Sequence, residues 1–217
     1  MLPRILEPEV MDTPEEARDY DSMDHSQVNR VFVADFLAIW NGQSPILDLG
    51  TGTALIPIEF CRQSPKGVIV AVDAAAHMLE LAEANVRRAG FESRISCRLV
   101  YAKRMTFADD TFPAVMSNSI VHHIPEPRAV FAEIARVVDE GGTILVRDLL
   151  RPDDEAALKH LVETYASGAN EHQKKMFAES LHAALTLDEV KEFVAAVGFD
   201  ARGVCQTTDR HWTWSVS

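Results

Sequence analysis

Apolar residues in this chain fall into two kinds of pattern that take turns along it. Ile46-Leu47 with Leu49, Gly67 to Val72, Ile95 to Val100, Ala114 to Asn118 and Thr143 to Val146 are short apolar runs with the length of buried strands. Between them, apolar residues recur every three or four positions. Val28, Val31, Phe32, Phe36 and Ile39 form one such stripe, stopped by Asn41-Gly42; Met78, Leu81, Ala82 and Val86 form another, stopped by Gly90; Val130, Phe131, Ile134 and Val138 follow Pro127. Gly141-Gly142 then turns the chain into the fifth strand. Strands alternating with amphipathic helices predict an α/β layer built on a parallel sheet.

The two ends read differently. Residues 1–13, with Pro3, Pro8 and then Pro14, predict an extended arm leading into a helix that Pro14 opens, with Glu15 and Glu16 in its first turn and a break at Tyr20–His25. After Arg151 the pattern is helical to Leu185 with a break at Gly168. Thr186-Leu-Asp-Glu189 is a capping box for a helix carrying Val190, Phe193, Val194 and Val197. The tail has two strand-like runs, Ala201 to Thr207 and His211 to Val216, joined by three turn residues, which predicts a hairpin with Trp212 and Trp214 on a packed face.

The chemistry gathers at Pro45 to Pro57, where the first strand ends in Asp48-Leu-Gly50-Thr51-Gly52-Thr-Ala54 and a helix begins. Glycines between a strand and a helix let backbone N–H groups and a helix N-terminus approach a polar ligand. Asp73 ends the second strand 21 residues beyond Gly52. Two parallel strands joined by a helix bring their C-terminal ends together, so Asp73 lies beside the glycine turn, in reach of both hydroxyls of a ribose.

Composition narrows the partners. In 217 residues, 33 acidic against 21 basic side chains leave a net charge of −12, which disfavours a nucleic-acid substrate. Cys61, Cys97 and Cys205 are an odd number of scattered thiols among apolar neighbours, which reads as reduced core residues and a cytoplasmic location; no metal-ligand spacing is present. No apolar run reaches the ~20 residues of a membrane span. A homodimer is compatible with the chain.

Asp48 to Ala54, Asp73, Asn118-Ser-Ile-Val-His122-His123-Ile and Arg136-Val-Val-Asp-Glu-Gly141-Gly142 resemble, in this order, the motifs of class I S-adenosylmethionine-dependent methyltransferases of the small-molecule "type 11" kind. The resemblance covers roughly Pro45 to Asp148. It implies an α/β, Rossmann-like, seven-stranded, mostly parallel sheet with flanking helices, an antiparallel C-terminal hairpin and an N-terminal helical lid. On that reading 1–43 is the lid, 44–149 the cofactor-binding core, 150–185 a helical insertion over the acceptor, and 186–217 the last helix and hairpin of one domain.

The resemblance also implies roles. S-adenosylmethionine is the cofactor, S-adenosylhomocysteine its product, and a small molecule the acceptor. Asp48 and the Gly50, Thr51 and Gly52 backbone hold the methionyl part, Asp73 the ribose, Met78, Tyr101 and Ala102 the adenine, and Asn118 the inner wall, with Ala74 a further cofactor-binding residue. Tyr20 and His25 in the lid face the site, and His123 faces the acceptor as orienter or base with His122 structural. Arg151, Tyr165, His172 and His182 of the insertion are further candidates for choosing the acceptor. At Tyr101 the family's usual acid is missing, as is the acid after Phe112, where Pro113 stands. Asp148, at the ligand edge of the fifth strand, reads as reaching an acceptor or as the partner of Arg147, with the salt bridge the simpler reading. Two rivals remain: a nicotinamide-dependent oxidoreductase, against which Leu55 stands where the third small residue of its fingerprint belongs, and a cofactor-binding module without turnover.

Overall fold

The computed structural model describes residues 2–6 and 12–217, so the expected arm over residues 1–13 lies partly outside the described residues. The element order is α1 (Pro14–Ser22), α2 (Ser26–Ile39), β1 (Ile46–Leu49), α3 (Leu55–Gln63), β2 (Ile69–Asp73), α4 (Ala76–Ala89), β3 (Ile95–Leu99), β4 (Phe112–Asn118), α5 (Pro127–Val137), β5 (Val138–Leu149), α6 (Glu155–Tyr165), α7 (Glu171–Ala183), α8 (Leu187–Ala196), β6 (Val204–Thr208) and β7 (His211–Val216). One seven-stranded sheet runs β3-β2-β1-β4-β5-β7-β6. β1 pairs in parallel with β2 and β4, β2 with β3, and β6 antiparallel with β7, as a Rossmann-like sheet with a terminal hairpin requires. Leu49 stands opposite Val72 and Ser117, so Gly50, Asp73 and Asn118 follow at one edge of neighbouring strands.

The described residues fall into two compact units. One draws on residues 12–118, 132–146 and 215–217; the other on 2–6, 119–131 and 147–214. The first is held by Phe32, Phe36, Ile46, Phe60, Ile69 and Met116, all fully or almost fully buried, and four-residue β1 is buried along its whole length. Burying a side chain of that size contributes roughly 1.5–3 kcal/mol, which fixes the strand register on which the glycine turn depends. In the second unit Trp212 and Trp214 are fully buried against Phe131, and Leu2, Leu149, Leu158, Leu161 and Leu181 form a separate cluster.

Three sequence expectations need correction. In α2 the buried stripe is Asn29, Phe32, Val33 and Phe36, and Val28 and Val31 are half exposed, because the helix turns its i, i+3, i+4, i+7 ridge of larger side chains inward. Cys205 is exposed rather than a core thiol, since β6 buries only Val204 among its five residues. The Gly141-Gly142 pair lies inside β5, which starts at Val138. The need for glycine there is steric: a Cβ on Gly142 would lie 2.7 Å from Val138 Cγ2, 2.9 Å from the Asp139 carbonyl oxygen and 3.0 Å from that of Pro113. Two of those neighbours are backbone and cannot swing aside. Gly142→Ala is expected to cost about 1–3 kcal/mol, read as a lower denaturant midpoint with an unchanged slope.

Candidate functional site

The glycine turn after β1 alternates left-handed residues, with φ of 75° at Gly50, 53° at Gly52 and 62° at Ala54. Ala54 accepts a conformation that favours glycine, a local cost accepted where α3 must start at once. The turn is bound to its neighbours on every side. Gly50 and Thr51 both donate their N–H to the Val72 carbonyl at 2.9 Å, and Gly52 donates to Asp73 Oδ2 at 2.8 Å. Asp73 Oδ1 accepts from the Ala75 N–H at 2.9 Å, so one carboxylate joins the glycine turn to the start of α4. A carboxylate oxygen can accept more than one hydrogen bond, which suits a ribose hydroxyl at this place.

Asp48 is 2% exposed. Burial pushes its carboxyl up to about 7, and the Asp73 charge adds to the rise. The Asp48 Oδ2, Thr51 Oγ1 and Thr53 Oγ1 atoms are buried without a protein hydrogen-bond partner. Buried polar atoms are normally paired, and three orphans in six residues around a glycine turn fit a ligand that brings donors, such as an ammonium group. A cationic cofactor fits this place.

The N-terminal helix lies over the same turn. Thr13 and Glu16 form a capping box for α1, whose last turn carries Tyr20 and Asp21. Tyr20 packs with Ala17, Ala75 and Met78, stacks on His25 with ring centroids 4.8 Å apart, and would lie 3.4 Å from a Cβ on Gly52. Burial, with the charges of Asp73, Asp48 and Asp21, pushes its phenol up to about 12 and keeps it a donor. His25 precedes α2, its Nε2 buried and without a partner, while Asp24 takes the Ser26 N–H. Asn85 of α4, 7% exposed, donates to Asp21 Oδ1 at 2.7 Å and to the Thr53 carbonyl at 3.1 Å. The sequence carried a signal for it: an amide beside Val86 on an otherwise apolar stripe.

The remaining cofactor candidates line the strand ends of the same unit. Ala74 and Ala102 are half-buried, Met78 is buried at the start of α4, and Asn118 is half-buried at the end of β4. Tyr101 is 57% exposed beyond β3, bridged to Arg104, and presents its ring to solvent at that edge.

In the other unit, His122 and His123 form a single 3-10 turn after β4. His122 is 4% exposed and its Nδ1 lies 2.6 Å from Asp148 Oδ1; Asp148 Oδ2 also takes the Val121 N–H at 2.5 Å. Burial alone would raise the Asp148 carboxyl, but the His122 charge and bond with the Leu149 and Val121 N–H groups hold it below the ordinary carboxylate range. Asp148 is thus the partner of His122, and Arg147 Nε donates to Thr213 Oγ1 at 3.0 Å. The expected Arg147 pairing gives way because the strand-end turn aims two N–H groups and an imidazole at this one carboxylate. The half-buried His123 ring rests on His122, centroids 4.0 Å apart. Arg4 ties the N-terminal arm to this turn, donating to the carbonyls of His122 at 3.2 Å and Ile124 at 2.9 Å.

The insertion candidates separate. Arg151 is buried and bound to Glu189 at 2.8 Å, beside a cavity of about 410 Å³ that His160, Thr186 and Asp209 also line. Tyr165 donates to Asp209, His182 lies 3.9 Å from Glu155, and His172 is exposed. Among the described residues there is no cluster of three or more His, Cys, Asp or Glu able to hold a metal ion, and no helix is long and apolar enough to cross a membrane.

Comparison with known proteins bears on the same segment. The methyltransferase domain family matches residues 47–146. The chain is 33% identical over 111 residues to a ubiquinone/menaquinone biosynthesis C-methyltransferase of Desulfotalea psychrophila, covering 51% of this chain and 44% of that protein. It is 26% identical over 171 residues to an arsenite methyltransferase of Halobacterium salinarum, 76% of this chain and 39% of the other. The chain thus spans about half the length, or less, of these curated relatives. The fold matches a SAM-dependent methyltransferase from Aquifex aeolicus with a TM-score of 0.68 at 15% identity, over 94% of this chain and 97% of that one. The matched segment holds the glycine turn, Asp48 and Asp73, and residues 47–146 are similar to the methyltransferase domain family.

Proposed function

We propose that this protein transfers a methyl group from S-adenosylmethionine to a small-molecule acceptor. The observation that carries the reading is the glycine turn ringed by carboxylates, with Asp48 Oδ2, Thr51 Oγ1 and Thr53 Oγ1 buried and unpartnered. Bound there, the cofactor supplies a methyl group made electrophilic by its sulfonium. Asp48 and the Gly50–Ala54 backbone hold the methionyl end, Asp73 and Ala74 the ribose, Met78, Ala102 and Tyr101 the adenine, and Asn118 the inner wall, while Tyr20 and His25 cover the turn. The negative field of Asp21, Asp48 and Asp73 suits a cation and repels the diphosphate of a nicotinamide cofactor, which argues against the oxidoreductase.

The acceptor is small on the strength of relatives whose names refer to quinone biosynthesis and arsenite. A protic acceptor must lose a proton, and His123 takes it: Asp148 anchors His122, and the His123 ring, less buried, rests on that fixed partner. A homodimer in the cytoplasm completes the proposal. The test is calorimetric titration with S-adenosylmethionine and S-adenosylhomocysteine, followed by turnover on a panel of phenol, quinol, amine, thiol and arsenite acceptors. Binding with turnover on one class supports the reading; binding with none across the panel would support the module without chemistry. With an acceptor in hand, His123→Ala is expected to lower kcat about 100-fold while S-adenosylhomocysteine affinity stays near the wild-type value. His122→Ala and Asp148→Asn should lose stability and keep more of the turnover than His123→Ala. Equal, small losses in all three would remove the role.

A further inference from the structure

Asn85 sits where a helix stripe should be apolar, and both bonds made by its amide nitrogen leave the helix for the elements around the glycine turn. We propose that Asn85 is a positioning residue that makes docking of the N-terminal helix α1 and ordering of the glycine turn a single event. The inference rests on the glycine turn being the cofactor's seat.

A buried side-chain amide costs free energy unless its protons are used, and asparagine is a poor residue for a helix interior. Asn85 repays that cost at two points. Its Nδ2 donates to Asp21 Oδ1 at 2.7 Å, a charge-assisted bond to the last turn of α1, and to the Thr53 carbonyl at 3.1 Å. Thr53 is fully buried and directly precedes Ala54, the left-handed residue that lets α3 begin. The preceding α1 residue, Tyr20, lies over Gly52 and against Ala75 and Met78. A single turn of α1 therefore supplies both the cover over the glycine turn and the carboxylate that grips Asn85. A second tie lies at the other end of α4, where Asp12 Oδ1 accepts from the His77 N–H at 3.0 Å and lies 3.0 Å from its Nδ1. That pair is exposed and holds the start of the segment without touching the glycine turn. Among the described residues, Asn85 alone joins the segment to the turn's carbonyl through one side chain.

Two readouts on the full-length protein test the coupling: amide hydrogen exchange of residues 14–22 without cofactor, and S-adenosylhomocysteine affinity by calorimetry. Asn85→Leu is expected to release α1, raising its exchange at least tenfold while β1 and β4 stay protected, and to weaken S-adenosylhomocysteine at least tenfold, about 1.4 kcal/mol. Asp21→Ala, at the half-buried last turn of α1, should raise the same exchange, and combined with Asn85→Leu it should add little, since both remove one bond. The exchanged pair Asp21→Asn with Asn85→Asp separates the two halves. The amide at position 21 can donate to the carboxylate at 85 and restore α1 protection, but the carboxylate offers Thr53 no proton, so affinity stays low. If Asn85→Leu leaves α1 protected and affinity unchanged, or if the two single effects add in full, the coupling is absent. Should the wild-type protein bind neither S-adenosylmethionine nor S-adenosylhomocysteine, the cofactor assignment fails, while the exchange readout still decides whether Asn85 holds α1.

Discussion

Asp73→Ala is expected to abolish measurable S-adenosylmethionine and S-adenosylhomocysteine binding, with a loss of at least 100-fold, about 2.7 kcal/mol. The size follows from how many bonds one carboxylate carries. Asp73 holds the Gly52 N–H at 2.8 Å and the Ala75 N–H at 2.9 Å, and we propose that it also receives the ribose hydroxyls. Truncation removes the ligand contact and leaves two backbone donors beside the glycine turn without an acceptor, each a cost of roughly 1–3 kcal/mol if it stays buried. Asp73→Asn separates these effects. An amide oxygen can still take one N–H, but its NH₂ group faces a second donor, so the fold should hold while affinity falls about tenfold. Calorimetry reads the affinities, and denaturant unfolding reads the stability. Undiminished binding in Asp73→Ala would remove the ribose role and leave Asp73 a purely structural tie.

Much of this site was legible in the chain because it is local. The Asp48–Ala54 turn needs a strand, two glycines and a helix start in one stretch, and Asp73 is fixed by one crossover from β1 to the parallel β2. Parallel register does the rest, since Leu49 opposite Val72 leaves little freedom for where Asp73 falls. The Thr186–Glu189 capping box and the Trp212–Trp214 face were equally local. What the sequence did not yield were contacts between distant elements. Asp148 lies 26 positions from His122 and beside an arginine, and adjacency made the wrong partner look natural; only the turn after β4 brings two N–H groups and the imidazole to it. Asn85 was hidden because periodicity marks a polar residue on an apolar stripe as an exception without saying what it meets. The inward ridge of α2 was missed for a related reason: Val28 and Val31 satisfy a helical period as well as Val33 does, and only packing chooses between overlapping stripes.

Asp48→Asn is expected to make the protein more stable at pH 8 and a poorer cofactor binder, the signature of a residue kept for binding. The sign follows from its raised carboxyl. Below about pH 3.8 Asp48 is protonated in both folded and unfolded chains and contributes no difference. As pH rises toward 7 the unfolded chain releases its proton while the buried site retains it, so stability falls, and above about 7 the full cost of a charged, desolvated carboxylate is present. Three pKa units correspond to roughly 4 kcal/mol, so a gain of about 2–4 kcal/mol at pH 8 is expected from the amide. His211 works the other way. Burial, with Arg210, lowers its pKa to about 4, so the unfolded chain gains a proton first and stability falls as pH drops from 6.5 to 4. In the wild type the two terms oppose each other between pH 4 and 6.5; in Asp48→Asn the His211 term is no longer opposed, and stability declines more steeply toward acid than in the wild type. Binding completes the argument, because a cationic methionyl group needs the ionised carboxylate. Wild-type affinity for S-adenosylmethionine should rise with pH up to about 7 with release of a proton, read as a buffer-dependent binding enthalpy. Asp48→Asn should bind more weakly, with neither the pH dependence nor the proton release. Thermal unfolding from pH 4 to 8 and calorimetry in two buffers measure both halves; a variant that loses affinity without gaining stability at pH 8 would mean that the Asp48 carboxylate is already paired in the folded chain.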